Sequence, residues 1–217
     1  MGLSLNTGSP QPGYALGPAK PVVSGRHGKL VTFFASQKND APVGCESLLE
    51  ADYCLFLEYL PSVISYRAQP FTVYFRDPAL RYTPDFIATL DDGREVLYEI
   101  KSNSSGRDPR WQQRRARLEE LLGINGLSFE YVEEHQFRHP ILLSNLRTLH
   151  HFGFNGSPSS PPSIVRLLLQ QPDKRATIGQ LIQLGARQED VTFALFHQLL
   201  RCNLQHPLDL RSQVWAD

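Results

Sequence analysis

The first two thirds of the chain alternate between blocks of helical and of strand-like hydrophobic spacing. Residues 45–61 carry apolar side chains at helical spacing, and Pro61 ends that pattern. Residues 63–90 read as three strand-like pieces separated by prolines, and residues 95–102 (EVLYEIKS) as a further strand. A helix within residues 108–126, with Gly123 as its expected C-terminal stop, a strand over 127–134 and a helix over 140–152 follow. This order predicts an α/β fold, with a mixed sheet flanked by helices.

Composition divides the chain into four parts. Residues 1–26 are rich in Gly, Pro and Ser without periodicity, which predicts a flexible N-terminal arm. Residues 27–152 hold the predicted α/β domain, and residues 153–163 (GFNGSPSSPPS) have the composition of a linker. Residues 164–217 predict three short helices, with Thr177 as the cap of the second and a turn at Gly185 before the third, and then an extended tail that could form a short hairpin. This pattern resembles a small winged-helix-like α domain.

Charge and cysteine content exclude several classes of protein. The 22 basic and 22 acidic residues balance, so any contact with nucleic acid must come from a local patch. The three cysteines show no CxxC spacing, so neither a zinc knuckle nor a disulfide framework is predicted. The sequence contains no apolar run long enough to cross a membrane and no basic leader followed by an apolar segment. We therefore expect a cytoplasmic protein without a membrane partner.

One constellation of charged side chains suggests chemistry. Glu99 and Lys101 lie two residues apart on a strand, so both point to the same face. Asp91-Asp92-Gly93 predicts a hairpin turn, which would bring Asp85 on the preceding strand close to both. Two carboxylates and a lysine at one point predict a Mg²⁺ site for phosphodiester hydrolysis. The alternative is a solvent-exposed Glu–Lys pair, but charges within the apolar run VLYEI favour a functional role.

These motifs resemble those of a known nuclease family. The segments TPDF and YEIK resemble the PD-(D/E)xK nuclease signature, which implies a restriction-endonuclease-like fold. The run ESLLEADYCLFLEYLPSVISYRAQPFTVYF followed by RYTPDF resembles the TnsA endonucleases over roughly residues 44–135. The short chain and its motif spacing resemble most the versions found in CRISPR-associated Tn7-like transposons. In these systems the endonuclease is one subunit of a heteromeric transposase.

The resemblance implies further site residues. A third carboxylate is expected from the first helix, where Glu50 fits best and Glu46 is the alternative. Ser47-Leu48-Leu49-Glu50 is also a capping-box pattern, so a purely structural role for Glu50 stays open. The backbone carbonyl of Ile100 is a candidate metal ligand, and Gln69 a candidate supporting residue. Mg²⁺ is the expected cofactor, with Mn²⁺ as a substitute.

A cluster of arginines follows Lys101 directly. The segment GRDPRWQQRRAR is well placed to bind DNA phosphates, which arginine contacts through its fork of donors. The alternative is a solvated helix face, partly neutralised by Glu119 and Glu120, with Trp111 in the core. The candidate DNA-binding residues are Arg107, Arg110, Arg114 and Arg115.

The resemblance therefore predicts a Mg²⁺-dependent DNA endonuclease that cleaves the 5′ strands at transposon ends. A TnsB-like transposase with an RNase H fold would cut the 3′ strands. Because charge is nearly balanced in residues 164–217, we expect this domain to dock a protein, and the resemblance implies a TnsC-like AAA+ ATPase. The alternatives are a non-catalytic scaffold with a nuclease fold, and a stand-alone restriction-type endonuclease.

Overall fold

A computed structural model describes residues 13–19, 31–76, 80–103 and 109–216 of the chain. Its helices are α1 (Leu48–Tyr59), α2 (Pro109–Ile124), α3 (Glu134–Phe137), α4 (Pro140–Gly153), α5 (Pro161–Leu169), α6 (Ile178–Gln183) and α7 (Gln188–Phe196). Its first six strands are β1 (Tyr14–Gly17), β2 (Thr32–Phe34), β3 (Val43–Cys45), β4 (Val63–Ala68), β5 (Thr72–Phe75) and β6 (Arg81–Tyr82). The other strands are β7 (Phe86–Leu90), β8 (Glu95–Lys101), β9 (Ser128–Glu133), β10 (Arg175–Thr177), β11 (Arg201–Cys202) and β12 (Gln213–Trp215).

The central sheet is mixed, as the sequence predicts. Its strand order is β4-β7-β8-β9, in which β8 and β9 run parallel and the other neighbours run antiparallel. Helix α2 forms the crossover that a parallel pair requires. Tyr98 and Ile100 of β8 belong to a core with Tyr53 and Leu57 of α1. Leu97 of β8 instead packs with residues of α2, so α1 and α2 cover opposite faces of the sheet.

A second sheet lies beside the first and includes part of the predicted arm. Strand β1 pairs antiparallel with β5, which pairs antiparallel with β6. The backbone N–H of Gly13 donates to Asn125 Oδ1 at 2.9 Å, and the N–H of Arg76 donates to the Gly13 carbonyl at 2.9 Å. The expectation of a flexible arm is therefore wrong for Tyr14–Gly17, because β5 offers these residues an open edge. The arm's first twelve residues lie outside the described ranges.

Helix α2 continues beyond the residue at which we expected it to stop. Gly123 was predicted to end the helix, but α2 runs to Ile124. Gly126 supplies the left-handed conformation just after it, with φ at +71°. The side chain of Asn125 donates to the Leu121 carbonyl at 2.7 Å, which satisfies one of the last carbonyl groups of the helix.

The C-terminal region is built from helices and a small sheet. Strands β10, β12 and β11 form a three-stranded antiparallel sheet in that order. The antiparallel pair β11–β12 agrees with the short hairpin expected in the tail, and β10 adds a third strand that was not expected. Thr177 caps α6 by accepting from the N–H of Gln180 at 3.1 Å, as its position in the sequence predicts. Gly185 takes φ +97° in the turn before α7. The chain order here is helix, strand, helix, helix, strand, strand.

The connection between the two regions is packed, which corrects the prediction of a linker over 153–163. Gly153 ends α4 and Pro161 begins α5, so both ends of the segment are helical. A Cβ atom at Gly153 would lie 2.7 Å from the backbone nitrogen of Phe193 in α7. One core contains leucines of α4 together with residues of α5, α6 and α7. The glycines therefore permit close helix packing, whereas composition had indicated flexibility.

None of the helices in the described ranges combines the length and the apolar character that a membrane crossing requires.

Candidate active site

The β7–β8 hairpin brings Asp85, Glu99 and Lys101 together. Phe86 pairs with Tyr98, and the N–H of Asp85 donates to the Tyr98 carbonyl at 3.0 Å, so Asp85 lies opposite the end of β8. Asp85 Oδ2 accepts from the N–H of Ile100 at 2.8 Å. Lys101 Nζ contacts Glu99 Oε1 directly and lies 3.9 Å from Asp85 Oδ2. The three side chains predicted from spacing alone therefore meet at one point.

Burial and mutual repulsion perturb the ionisation of this cluster. Burial and, to a lesser extent, the Glu99 carboxylate raise the pKa of Asp85 to about 7, although Lys101 and the hydrogen bond from the Ile100 N–H lower it. Burial alone would lower the pKa of Lys101, but the carboxylates of Glu99 and Asp85 outweigh it and raise that pKa. Lys101 is therefore a cation held between two acids, one of which ionises near neutral pH. Such perturbation is typical of functional sites.

Glu50 lies in the same cavity but its carboxylate is used at the start of α1. The cavity measures about 630 Å³ and is lined by Glu46, Glu50, Gln69, Asp85 and Lys101, together with Thr72, Tyr74, Arg81 and Thr83. Glu50 Oε2 accepts from the N–H of Glu46 at 2.8 Å, and Oε1 accepts from the Ser47 hydroxyl at 3.0 Å. The Ser47 hydroxyl in turn accepts from the N–H of Glu50 at 3.1 Å. Both readings of Glu50 thus have a structural basis: it helps to cap the helix and it faces the acidic cluster.

Gln69 supports the cluster from the end of β4. Its backbone is in the left-handed region with φ at +42°, which is costly for a residue with a side chain. Its backbone N–H donates to the Asp85 carbonyl at 2.9 Å, which holds the end of β4 next to Asp85. The side chain is buried, and its Oε1 atom has no hydrogen-bond partner in the described part of the chain. The predicted supporting residue therefore presents a buried acceptor at the site.

The donor chemistry of the cavity fits a hard divalent cation. Carboxylate and carbonyl oxygens are the ligands that Mg²⁺ prefers. Glu99 Oε2 and Gln69 Oε1 are both buried without a partner in the described ranges, as expected of acceptors awaiting a ligand. However, no three His, Cys, Asp or Glu side chains of the described residues converge closely enough to form a metal cluster. The structure thus brings Asp85 and Glu99 together but leaves Glu50 apart, and the Ile100 carbonyl stays a predicted ligand.

The arginine cluster lies on the helix that covers the Glu99 face of the sheet. Arg110 and Arg114 are exposed, and Arg114 Nη2 donates to the Arg81 carbonyl at 3.1 Å. Arg115 pairs with Glu119 at 2.7 Å and lies 4.2 Å from the centre of the Tyr131 ring. The predicted neutralisation by acidic neighbours is therefore present at Arg115. Arg107 lies outside the described residues.

Two aromatic residues beside Lys101 were not identified as site residues from the sequence. Lys101 Nζ lies 4.9 Å from the centre of the Trp111 ring, in cation–π range. Trp111 contacts Tyr131, with ring centres 5.9 Å apart, and is only partly buried rather than a core residue. Tyr131 pairs with Glu99 across the parallel strands, so both side chains share one face. The alternating pattern of β9 would have revealed Tyr131 only if the strand register had been known.

The mixed α/β architecture and this trio of side chains are consistent with a nuclease-like protein. Residues 60–134 match the sequence model of the family described as "TnsA-like endonuclease N terminal". The match supports assignment to the TnsA-like endonucleases and confirms the resemblance found in the sequence. It contains Asp85, Glu99 and Lys101 but not Glu50. A search of curated proteins finds no match to the chain.

Proposed function

We propose that this chain is the Mg²⁺-dependent endonuclease subunit of a heteromeric transposase and cleaves the 5′ strands at the ends of a transposon. The observation that carries the proposal is the convergence of Asp85, Glu99 and Lys101 inside the segment that matches the TnsA-like endonucleases. The family match supports an endonuclease of Tn7-type transposition. Strand choice, the metal and the partners rest on the resemblance.

Each side chain of the cluster has a role in phosphodiester hydrolysis. Asp85 and Glu99 would hold Mg²⁺, with the Ile100 carbonyl and Glu50 as further ligands. When bound, the ion supplies an activated water and neutralises charge on the phosphate. Lys101, held between the two acids, orients the attacking water and offsets the charge that develops on the scissile phosphate. Gln69 fixes the position of Asp85 through its backbone.

The arginines of α2 would place DNA against this cluster. Arg110 and Arg114 are exposed on the helix that covers the Glu99 face of the sheet. Arginine binds phosphate through two parallel hydrogen bonds, so exposed guanidinium groups at this position suit the DNA backbone. Arg115 is less available, because it pairs with Glu119.

The C-terminal region would be a winged-helix-like docking domain. Its order of helix, strand, two helices and two strands, with one three-stranded antiparallel sheet, supports that class. Basic and acidic residues nearly balance there, which favours a protein partner over DNA. By resemblance that partner is a TnsC-like AAA+ ATPase, and a TnsB-like transposase with an RNase H fold cuts the 3′ strands.

Product analysis of reconstituted transposition tests the proposal. Wild-type protein should give simple insertions, because both strands are cut at each transposon end. Asp85→Ala should give donor–target cointegrates, because the 5′ strands stay attached to the donor. Asp92→Ala, in the turn of the same hairpin, is the matched control and should behave as wild type. Identical products from wild type and Asp85→Ala would refute the proposal that this chain is a nuclease.

The main alternative is a scaffold that bridges the other subunits without cutting DNA. A scaffold has no need for two neighbouring carboxylates, one buried and one largely shielded from solvent, that repel each other. Here burial and this repulsion raise the pKa of Asp85 to about 7. The same product assay separates the two functions, because a scaffold requires the fold but not the Asp85 carboxylate. A stand-alone restriction-type nuclease would instead cut specific DNA without any partner.

A further inference from the structure

We propose that one face of the β5–β6 hairpin is a strand-binding face, which holds the sugar-phosphate backbone of DNA against the acidic cluster. The face consists of Thr72, Tyr74, Arg81 and Thr83, which line the same cavity as Glu50 and Asp85. This inference rests on the proposed function and assigns binding roles to residues that are not among the site residues predicted from the sequence.

Strand alternation places these four side chains on one surface. Tyr74 pairs with Arg81 across the two strands, and the Thr72 and Thr83 hydroxyl groups lie 2.8 Å apart. The intervening residues Val73 and Tyr82 point the other way into the core. The hairpin therefore has a buried apolar face and a polar face toward the cavity, as expected of a half-buried antiparallel sheet.

The strand-binding face differs in charge from the rest of the cavity lining. The face carries hydroxyl groups, a tyrosine and a guanidinium group, whereas the rest of the lining includes Glu46, Glu50, Asp85 and Lys101. Across the described ranges, no carboxylate lies within ion-pairing distance of the Arg81 guanidinium group. An exposed cation in the lining of a cavity of about 630 Å³ leaves room for an anionic strand beside the acidic cluster. Arg114 of α2 contacts the Arg81 carbonyl, so the face adjoins the arginine cluster.

Tyr74 is positioned by a glycine on the neighbouring strand. Its side chain is 46% exposed, although its ring lies across β1. A Cβ atom at Gly17 would lie 2.6 Å from Tyr74 Cε2, so the ring occupies the space that any larger residue would need. The ring therefore packs close to the β1 backbone while part of its surface stays exposed, which suits stacking against a sugar or a base. Strand β1 thus gives part of the N-terminal segment a role at the site.

DNA binding by the full-length chain, measured separately from cleavage, tests this inference. The probe is a labelled 30-base-pair duplex of arbitrary sequence in Ca²⁺, with fluorescence anisotropy recorded from about 50 to 200 mM salt. Arg81→Ala should weaken binding about 5- to 20-fold and reduce the slope of log affinity against log salt by about one. Arg94→Ala, at the far turn of the β7–β8 hairpin, is the matched control and should change neither quantity.

Substitutions of Tyr74 and Gly17 test the aromatic part of the face. Tyr74→Ala should weaken binding about fivefold or more, whereas Tyr74→Phe should keep wild-type affinity because the ring is retained. Gly17→Ala should weaken binding as Tyr74→Ala does, since its Cβ displaces the ring. Gly123→Ala is the control, because a Cβ atom at Gly123 meets nothing within 4 Å.

The outcomes separate this inference from the proposed function. The strand-binding face is refuted if the wild-type chain shows no salt-dependent affinity, or if Arg81→Ala keeps both affinity and salt slope. It is also refuted if melting temperature falls in proportion to the loss of affinity among the variants. Mn²⁺ binding without DNA should be unchanged in Arg81→Ala and lost in Asp85→Ala. If Asp85→Ala leaves transposition products unchanged while Arg81→Ala loses affinity, the nuclease proposal fails and the binding face stands.

Discussion

Replacing Asp85 by asparagine should stabilise the protein in the absence of metal. Burial and the neighbouring Glu99 carboxylate raise the pKa of Asp85 from 3.8 to about 7, so its ionised form is disfavoured in the folded state. Asparagine removes the charge and retains an oxygen that can accept the 2.8 Å hydrogen bond from the Ile100 N–H. The substitution therefore removes a cost of folding while keeping the local contact.

The magnitude and its pH dependence follow from linkage. A pKa difference of this size corresponds to about 4 kcal/mol, and the 20% exposure of the Asp85 side chain lowers our expectation to about 2–4 kcal/mol. Because the folded-state pKa is raised, the folded state binds more protons than the unfolded state between pH 4 and 7. Wild-type stability from this group therefore falls as pH rises through that window. The advantage of Asp85→Asn should be near zero at pH 4 and full above pH 7.

Urea unfolding in EDTA at several pH values measures this effect. Asp92→Asn is the matched control: its hydrogen bonds to Arg94 lower the pKa of Asp92, so removing its charge should bring no gain at pH 8. Adding Mg²⁺ should stabilise wild type and leave Asp85→Asn unchanged, which reverses part of the difference. The reasoning fails if Asp85→Asn is less stable than wild type at pH 8 in EDTA, or if the difference does not vary with pH.

Two further substitutions test the neighbours of the cluster. Glu50→Gln should keep most of the helix cap, because an amide oxygen can still accept from the Glu46 N–H. The same substitution should lower Mn²⁺ affinity at least about tenfold, because it removes a charged ligand. Unchanged Mn²⁺ affinity by titration would show that Glu50 is not part of the metal site. Trp111→Leu should slow end cleavage about 3- to 30-fold by releasing Lys101, whereas Trp111→Phe should stay within about threefold of wild type. Equal rates for the leucine and phenylalanine variants would show that the ring does not position the lysine.

The centre of the site was predictable because its signals are local. Glu99 and Lys101 share a face by strand alternation, and Asp91-Asp92-Gly93 sets the turn that aligns Asp85 with the end of β8. The Leu90–Arg94 hydrogen bond of 2.8 Å closes that turn as its sequence suggests. Within one hairpin, turn chemistry and alternation are enough to place side chains.

The strand-binding face could not be predicted from the sequence, because its position depends on long-range strand pairing. Gly17 pairs with Thr72 across β1 and β5, and no short-range pattern fixes a register between segments so far apart. Tyr131 joins the site for the same reason, through the parallel pairing of β8 and β9. The segment 153–163 was misjudged because glycine composition alone does not distinguish a flexible chain from close helix packing, which the contact of Gly153 with Phe193 requires.

Several departures from ordinary folding rules lie at or beside the cavity that Asp85 lines. Gln69 has a left-handed backbone conformation, and its buried side-chain oxygen Oε1 has no hydrogen-bond partner in the described ranges. The buried Oε2 atom of Glu99 has no partner there either. Asp85 carries a raised pKa beside them. Each of these features costs stability, and proteins keep such costs chiefly where binding or catalysis offsets them. A scaffold would lose nothing by replacing these groups with apolar side chains or with polar ones that have hydrogen-bond partners, so their presence beside Lys101 favours a nuclease site. Stabilisation of the protein by Asp85→Asn would measure the free-energy cost of one of these groups directly.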